Sequence, residues 1–396
     1  MNIHITHHLF LKRHRWSQTG AGSASRYTLD MGELLNNSVE LASRQLALGL
    51  LDKANKNAKH FQEGSDPEAL HDFRVGIRRL RTILRAYSPY LEKQVAKKLR
   101  KRLGELMDKT SADRDDEVHV AWLEAQLARR KLPKLQQQGM THLLEQLRGE
   151  KDHEEISSSI LGEYGKLSNR LSARLQKSSR RIKLDKSGRP LSFAVATATI
   201  VSFHAALLQG QLGEIHSVDD EEPAHQARLT VKKLRYLLEP LRKELKGAAT
   251  TVRKLKDLQD ILGDLHDLHT LEERVENVTS AAATDWAERL LDKATPDVSL
   301  RELSQVDPVL EHCFALAATL KRVRSEQARL YQRLYIHWLD EHAQAFFELV
   351  AELCTELSGE PRQDTTSNAE PGVQEPAAPK EETETNPVSE EPEGVS

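Results

Sequence analysis

The sequence predicts an all-α fold, and three observations predict it. Helical spacing of apolar residues runs almost unbroken from about residue 32 to about residue 357. Charged residues make up 30% of the chain and aromatics 5%, and Leu, Ala, Lys, Arg and Glu dominate; these are good helix formers. No stretch keeps the period of two that a half-buried strand requires. At 396 residues there is length for one large domain or two ordinary ones.

Taken in order, residues 1–30 read as poorly ordered, with Gly20, Gly22 and Ser23 near their end. Helices are then predicted over roughly 32–61, 67–87, 91–108, 117–130, 136–148, 154–182, 192–210, 223–246, 249–276, 282–293 and 309–356. The second begins with Asp66-Pro67-Glu68: an N-cap, a Pro at the first helical position and an acid in the first turn. Its apolar stripe is Leu70, Phe73, Ile77, Leu80, Leu84 and Leu91, and Pro89 lies where it should stop. Pro223 plays the starting part in a later helix, after the acidic run Asp219 to Glu222. The expected organisation is a segment 1–30, a helical domain 31–357 with halves of about 34–185 and 190–357, and a tail 358–396.

The net charge of −3 hides an asymmetry. From Gly359 onward there are ten acidic and two basic residues, a net of −8, so the rest of the chain carries −3 + 8 = +5. That tail is rich in Glu, Pro, Thr and Ser and poor in large apolar residues, which predicts disorder. Cys313 and Cys354 are the only cysteines. Two cysteines on long helices do not make a disulfide framework and suit a reducing, cytoplasmic setting. Met1 to Trp16 lacks a sustained apolar core with a cleavage site, so no signal peptide is read there. Leu191 to Leu208 is long and uncharged enough to raise the question of a membrane span. Its Ala, Ser and Thr content and His204 predict a bundle helix instead, and no membrane partner is expected.

The chemistry lies in a repeat. His71-Asp72-Phe73-Arg74-Val75-Gly76-Ile77-Arg78-Arg79-Leu80-Arg81 returns, altered, as His225-Gln226-Ala227-Arg228-Leu229-Thr230-Val231-Lys232-Lys233-Leu234-Arg235, and paired positions lie 154 residues apart. His71, Arg74, Arg78, Arg81 and Arg85 share one helical face beside the apolar stripe, as do His225, Arg228, Lys232 and Arg235. Arg79 and Lys233 add charge on the next row. A basic helix follows each copy, with Lys97, Lys98, Arg100, Lys101 and Arg102 after the first and Arg253, Lys254 and Lys256 after the second. Like charges at this spacing repel, unless an anion or carboxylate answers them. Phosphate is a good answer, because Arg presents a planar fork and Lys a mobile point charge. A solvated face paired with Asp257, Asp260, Asp264 and Asp267 is the plain alternative. Duplication in register favours a shared polyanion site.

At these residues the chain resembles the CHAD family, the conserved histidine α-helical domain. The resemblance is carried by Leu70 to Arg81, by His225 to Glu239 with Lys232-Lys233-Leu234-Arg235-Tyr236, and by Leu258-Gln259-Asp260-Ile261-Leu262-Gly263-Asp264-Leu265-His266-Asp267. It spans about residues 34–356. The resemblance implies two pseudo-symmetric four-helix halves around a central basic cavity, binding inorganic polyphosphate at polyphosphate granules, with possible protein partners there. It implies that the histidine-led stripes line the cavity and that the later basic helices extend it. The family's arginine-aspartate segment of the first half is displaced here to Asp113-Arg114-Asp115-Asp116-Glu117, after Met107 to Ala112.

Other chemistry is weaker in the sequence. His266 and His269 with Asp264 and Asp267 share a helical face, but the basic stripes would repel a cation, so no metal is expected. There is no Gly-rich phosphate loop, nucleophile elbow or structural zinc set, so no cofactor and no catalytic residue are assigned. The alternatives are a metal-dependent phosphatase or phosphotransferase using His71 or His225, a nucleic-acid binder, disfavoured by the few aromatics among the basic residues, and a helical scaffold.

Overall fold

A computed structural model describes residues 31–359, apart from 64–67, 92, 110–111, 150–153, 178–182, 296 and 298–307. Residues 1–30 and 360–396 lie outside the described residues, so the expectations for both end segments do too. The described residues are all-α, with only isolated bridges such as Ser38 to Ser192 in place of strands.

The helices are α1 (Met31–Asn36), α2 (Val39–Glu63), α3 (Ala69–Ala86), α4 (Lys93–Lys109), α5 (Ala112–Leu127), α6 (Lys134–Gly149), α7 (Glu154–Leu175), α8 (Phe193–Gly213), α9 (Glu221–Leu238), α10 (Ala248–Lys293), α11 (Pro308–Trp338) and α12 (Gln344–Ser358). Neighbour contacts close two rings of four helices. In one, α2 packs on α3, α3 on α4, α4 on α7 and α7 on α2; in the other, α8 packs on α9, α9 on α10, α10 on α12 and α12 on α8. The rings meet through α2 with α8 and α3 with α9, and share one apolar core. Phe73, Ile77, Leu80 and Leu84, the predicted stripe of α3, are 0% exposed in it. Burying such side chains contributes about 1.5–3 kcal/mol each.

Tyr87 ties the rings where α3 ends. Its hydroxyl shares a 2.7 Å hydrogen bond with Thr197 of α8, and its ring stacks on Phe193, centroids 5.0 Å apart. A second core lies apart, built from Trp122, Leu143, Leu147, Leu268, Leu271 and Val323 among others. It joins α5, α6, α11 and the far half of α10. Here α5 and α6 pack on α10 and α11, not within the first ring. His119 of α5 fastens this group, its Nε2 lying 3.2 Å from the Asp267 carbonyl and 3.1 Å from the Thr270 hydroxyl.

Several boundaries differ from the sequence expectation, including the predicted 32–61, which splits into α1 and α2, and the predicted 154–182, whose helix ends at Leu175. The predicted 249–276 and 282–293 are one helix of 46 residues. The stretch between contains neither Gly nor Pro, and the Thr279 hydroxyl donates back to the Val275 carbonyl at 2.7 Å without breaking the helix. The predicted 309–356 breaks instead, because Asp340 takes φ 51° and a 3-10 turn spans Asp340–Ala343. Asp tolerates this left-handed conformation better than most residues, so the break carries no Gly or Pro signal. The predicted 223–246 ends at Leu238, before Pro240. The α9 start lies at Glu221, two residues before Pro223. Asp66 and Pro67 are outside the described residues.

α8 is long and apolar enough to cross a membrane by length and composition, but 39% of its most apolar window is buried within the protein. Phe193, Ala196, Val201, Leu208 and Leu212 point into the core.

Candidate anion-binding site

α3 and α9 place their cations at the edge of the shared core, because each basic file sits one residue round from the buried stripe. In α3, Arg74 is buried at 3% exposure, His71, Arg78, Arg79 and Arg81 are half-buried, and Arg85 is exposed. In α9, His225, Arg228, Lys232, Lys233 and Arg235 are all half-buried.

One cluster joins α3 to α9 electrostatically through Arg85 and Lys233. Burial pulls the Lys233 ammonium below its usual range, and Arg85 of α3 adds to the effect. Burial likewise lowers Arg81; Asp108 opposes this, while Arg78, Arg85 and Arg100 reinforce it. Arg100 of α4 is lowered by burial and then by Arg85. His204 of α8 completes the cluster. Burial first, then Lys233 and Arg85, push it down to about 4. Among the described residues no carboxylate stands within salt-bridge distance of Arg85, Arg100 or Lys233.

The next row is answered. Glu239 lies 3.1 Å from Arg79 and 3.3 Å from Arg235. Both guanidinium groups also stand over the Tyr236 ring, at 5.6 and 5.0 Å from its centroid. Lys53 of α2 lies close by, lowered by burial and then by Arg79.

The remaining residues of the second copy gather between α9 and α10. The His225 and His266 rings lie 4.9 Å apart, and Arg228 reaches Asp267 at 3.6 Å. Burial, then Arg228, His225, Lys232 and His269, hold His266 down at about 3. Among the described residues no group of three or more His, Cys, Asp or Glu is placed to hold a metal ion.

The later basic helices divide. Arg100 belongs to the first cluster. Lys98, Arg253 and Lys254 are exposed. Lys101 pairs with Glu105 at 3.6 Å and Lys256 with Asp260 at 3.0 Å, within their own helices. The Lys97 side chain lies outside the described residues, as do those of Asp113, Arg114 and Asp115.

Sequence reasoning assigned no role to His204, Glu239, Asp108, Gly104 or Gly263. A signal for the last three existed. Leu103-Gly104-Glu105-Leu106-Met107-Asp108 on α4 echoes Leu262-Gly263-Asp264-Leu265-His266-Asp267 on α10. Each glycine leaves room for an arginine: a Cβ on Gly104 would stand 3.0 Å from Arg81 Nη2, and one on Gly263 3.9 Å from Arg228 Nε.

A model of the CHAD domain matches residues 45–276. The fold is similar to the crystal structure of the CHAD domain from the plant Ricinus communis, at 20% identity over 74% of this chain and 92% of that one, with a TM-score of 0.48. It is also similar to PptA from Streptomyces chartreusis, at 12% identity over 80% of this chain and 100% of that one, with a TM-score of 0.46. No curated protein matches the chain.

Proposed function

The chain belongs to the CHAD domain family, whose model covers more than half of its length, and from that premise we propose that it binds inorganic polyphosphate and is carried by it to cytoplasmic polyphosphate granules. The observation that carries this reading is that α3 and α9 bring cations within electrostatic reach of one another, Arg85 acting on Lys233, with no carboxylate paired to either among the described residues. A chain of phosphates supplies evenly spaced negative charge along such a seam. Each charge-assisted contact contributes about 1.5–3 kcal/mol. Arg81, Arg85, Arg100 and Lys233 form the centre of the proposed site, with His71, Arg74, Arg78, His225, Arg228 and Lys232 extending it along both helices into a basic cavity. Arg79 and Arg235 are already engaged by Glu239. The reading is a binding module rather than an enzyme.

Affinity measured against salt and chain length tests it. Binding should weaken by about 0.7 in log K per phosphate neutralised for each unit of log salt, borrowing the single-strand nucleic-acid slope. Long chains should bind tighter than short ones. Equal affinity for all lengths, or no binding at low salt, overturns the reading. Phosphate release from the bound chain in the presence of a divalent metal would favour the phosphohydrolase alternative.

A further inference from the structure

Phe203 is 65% exposed on α8, a helix without a charged residue. Single exposed apolar side chains are common and need no explanation, but the position of this one is particular. Its ring meets His204 edge-on, centroids 5.3 Å apart. His204 lies within electrostatic reach of Lys233 from α9 and Arg85 from α3. Arg85 in turn acts on Arg81 and Arg100. An exposed aromatic face therefore lies against a histidine on which the cationic cluster acts. Leu207, one turn further along α8 and 38% exposed, widens the apolar edge.

We propose that this end of the seam accepts a nucleoside oligophosphate, its base stacked on Phe203 and its phosphates running along Arg85, Lys233 and Arg81. The proposal rests on the anion-binding reading and extends it to a second ligand class. Stacking on an aromatic side chain tolerates any base, because every base has a π-face. An inorganic chain has nothing to place there. A single-stranded nucleic acid would need successive platforms, and the other exposed aromatics among the described residues, Phe314 and Tyr335, lie on α11. One platform beside the cations suits one base.

The test uses the full chain, calorimetric titration and a buffer with chelator at fixed salt. ATP is compared with inorganic tripolyphosphate, which carries at least as much negative charge. ATP is expected to bind about tenfold tighter. In Phe203→Ala the ratio of the two affinities should fall to near one, and in Phe203→Trp it should persist. Equal affinities in the unaltered protein, or a ratio that survives Phe203→Ala, overturns the proposal. A preference for short oligoadenylate without one for ATP also overturns it, in favour of strand binding. If neither ATP nor any inorganic chain binds, the anion-binding reading fails with it. If the inorganic chains bind and ATP has no advantage, only this inference fails.

Discussion

Arg79 of α3 and Glu239, just beyond α9, lie 3.1 Å apart at 18% and 19% exposure, so an ion pair half-shielded from water joins the two copies of the basic repeat. Glu239 also reaches Arg235, which makes it the acid between two cations that the sequence alone assigns to one polyanion site. Glu239→Gln should therefore have two opposed effects. Stability should fall by about 1–3 kcal/mol, because two half-buried guanidinium groups lose their charged partner. Polyphosphate affinity should rise, with a salt dependence steeper by about one phosphate contact. Denaturant unfolding and titration over a salt series check both arms; an affinity that falls with stability would make Glu239 purely structural.

Charge reversals should sort by partner. Arg85→Glu and Lys233→Glu remove cations that have no paired carboxylate among the described residues and place an acid inside the cluster, so each should weaken polyphosphate binding by about tenfold or more. Lys256→Glu breaks only a pair with Asp260 on the same helix and should cost far less. Reversals at the exposed Arg129 and Arg130, in the turn after α5, serve as the control. A uniform loss at all these positions would mean diffuse attraction with no site.

Two half-buried histidines predict an acid-side weakness. His204 is held at about 4 and His266 at about 3, against roughly 6.5 in an unfolded chain. The unfolded state then binds more protons than the fold below pH ~6.5, so stability falls as pH drops. The penalty is absent above that value, grows through the interval and is complete below about 3. Melting temperatures between pH 7 and pH 4 should drop less in a His204→Gln, His266→Gln double variant than in the unaltered chain. Bound polyphosphate should shrink the drop as well, because anions beside the rings favour their charged form.

Two glycines should respond oppositely to alanine. A Cβ on Gly139 of α6 would collide with the Ala315 carbonyl of α11, and that backbone cannot turn aside. Gly139→Ala should cost about 1–3 kcal/mol. Gly162 of α7 has open space around it, and Gly162→Ala should stabilise by about 0.5–1 kcal/mol through helix propensity alone. Thermal or denaturant unfolding of both variants decides it.

The helices themselves were largely legible in the sequence, because periodicity is local: the stripe of Phe73, Ile77, Leu80 and Leu84 names the buried face of α3 without reference to any partner. Where the reading went astray, the deciding force was again tertiary or conformational. The α10 helix runs on past residue 276, where Val275 and the partly buried Val278 still belong to the second core with Val323 and Leu316. The α11–α12 break rests on one aspartate in a left-handed conformation, a state no spacing rule reports.

The same division holds for the site. The sequence by itself determined that two helices carry a histidine and a file of cations on the margin of an apolar stripe, since that needs only the turn of the helix and the order of residues. Only the tertiary structure decided which cations meet. Arg85 acts electrostatically on Lys233 from another helix, Glu239 reaches back to Arg79 across 160 residues of chain, and His204 with Phe203 arrives from a helix the repeat does not contain. Charge answers to distance in space, and that distance is set by how the two rings pack together.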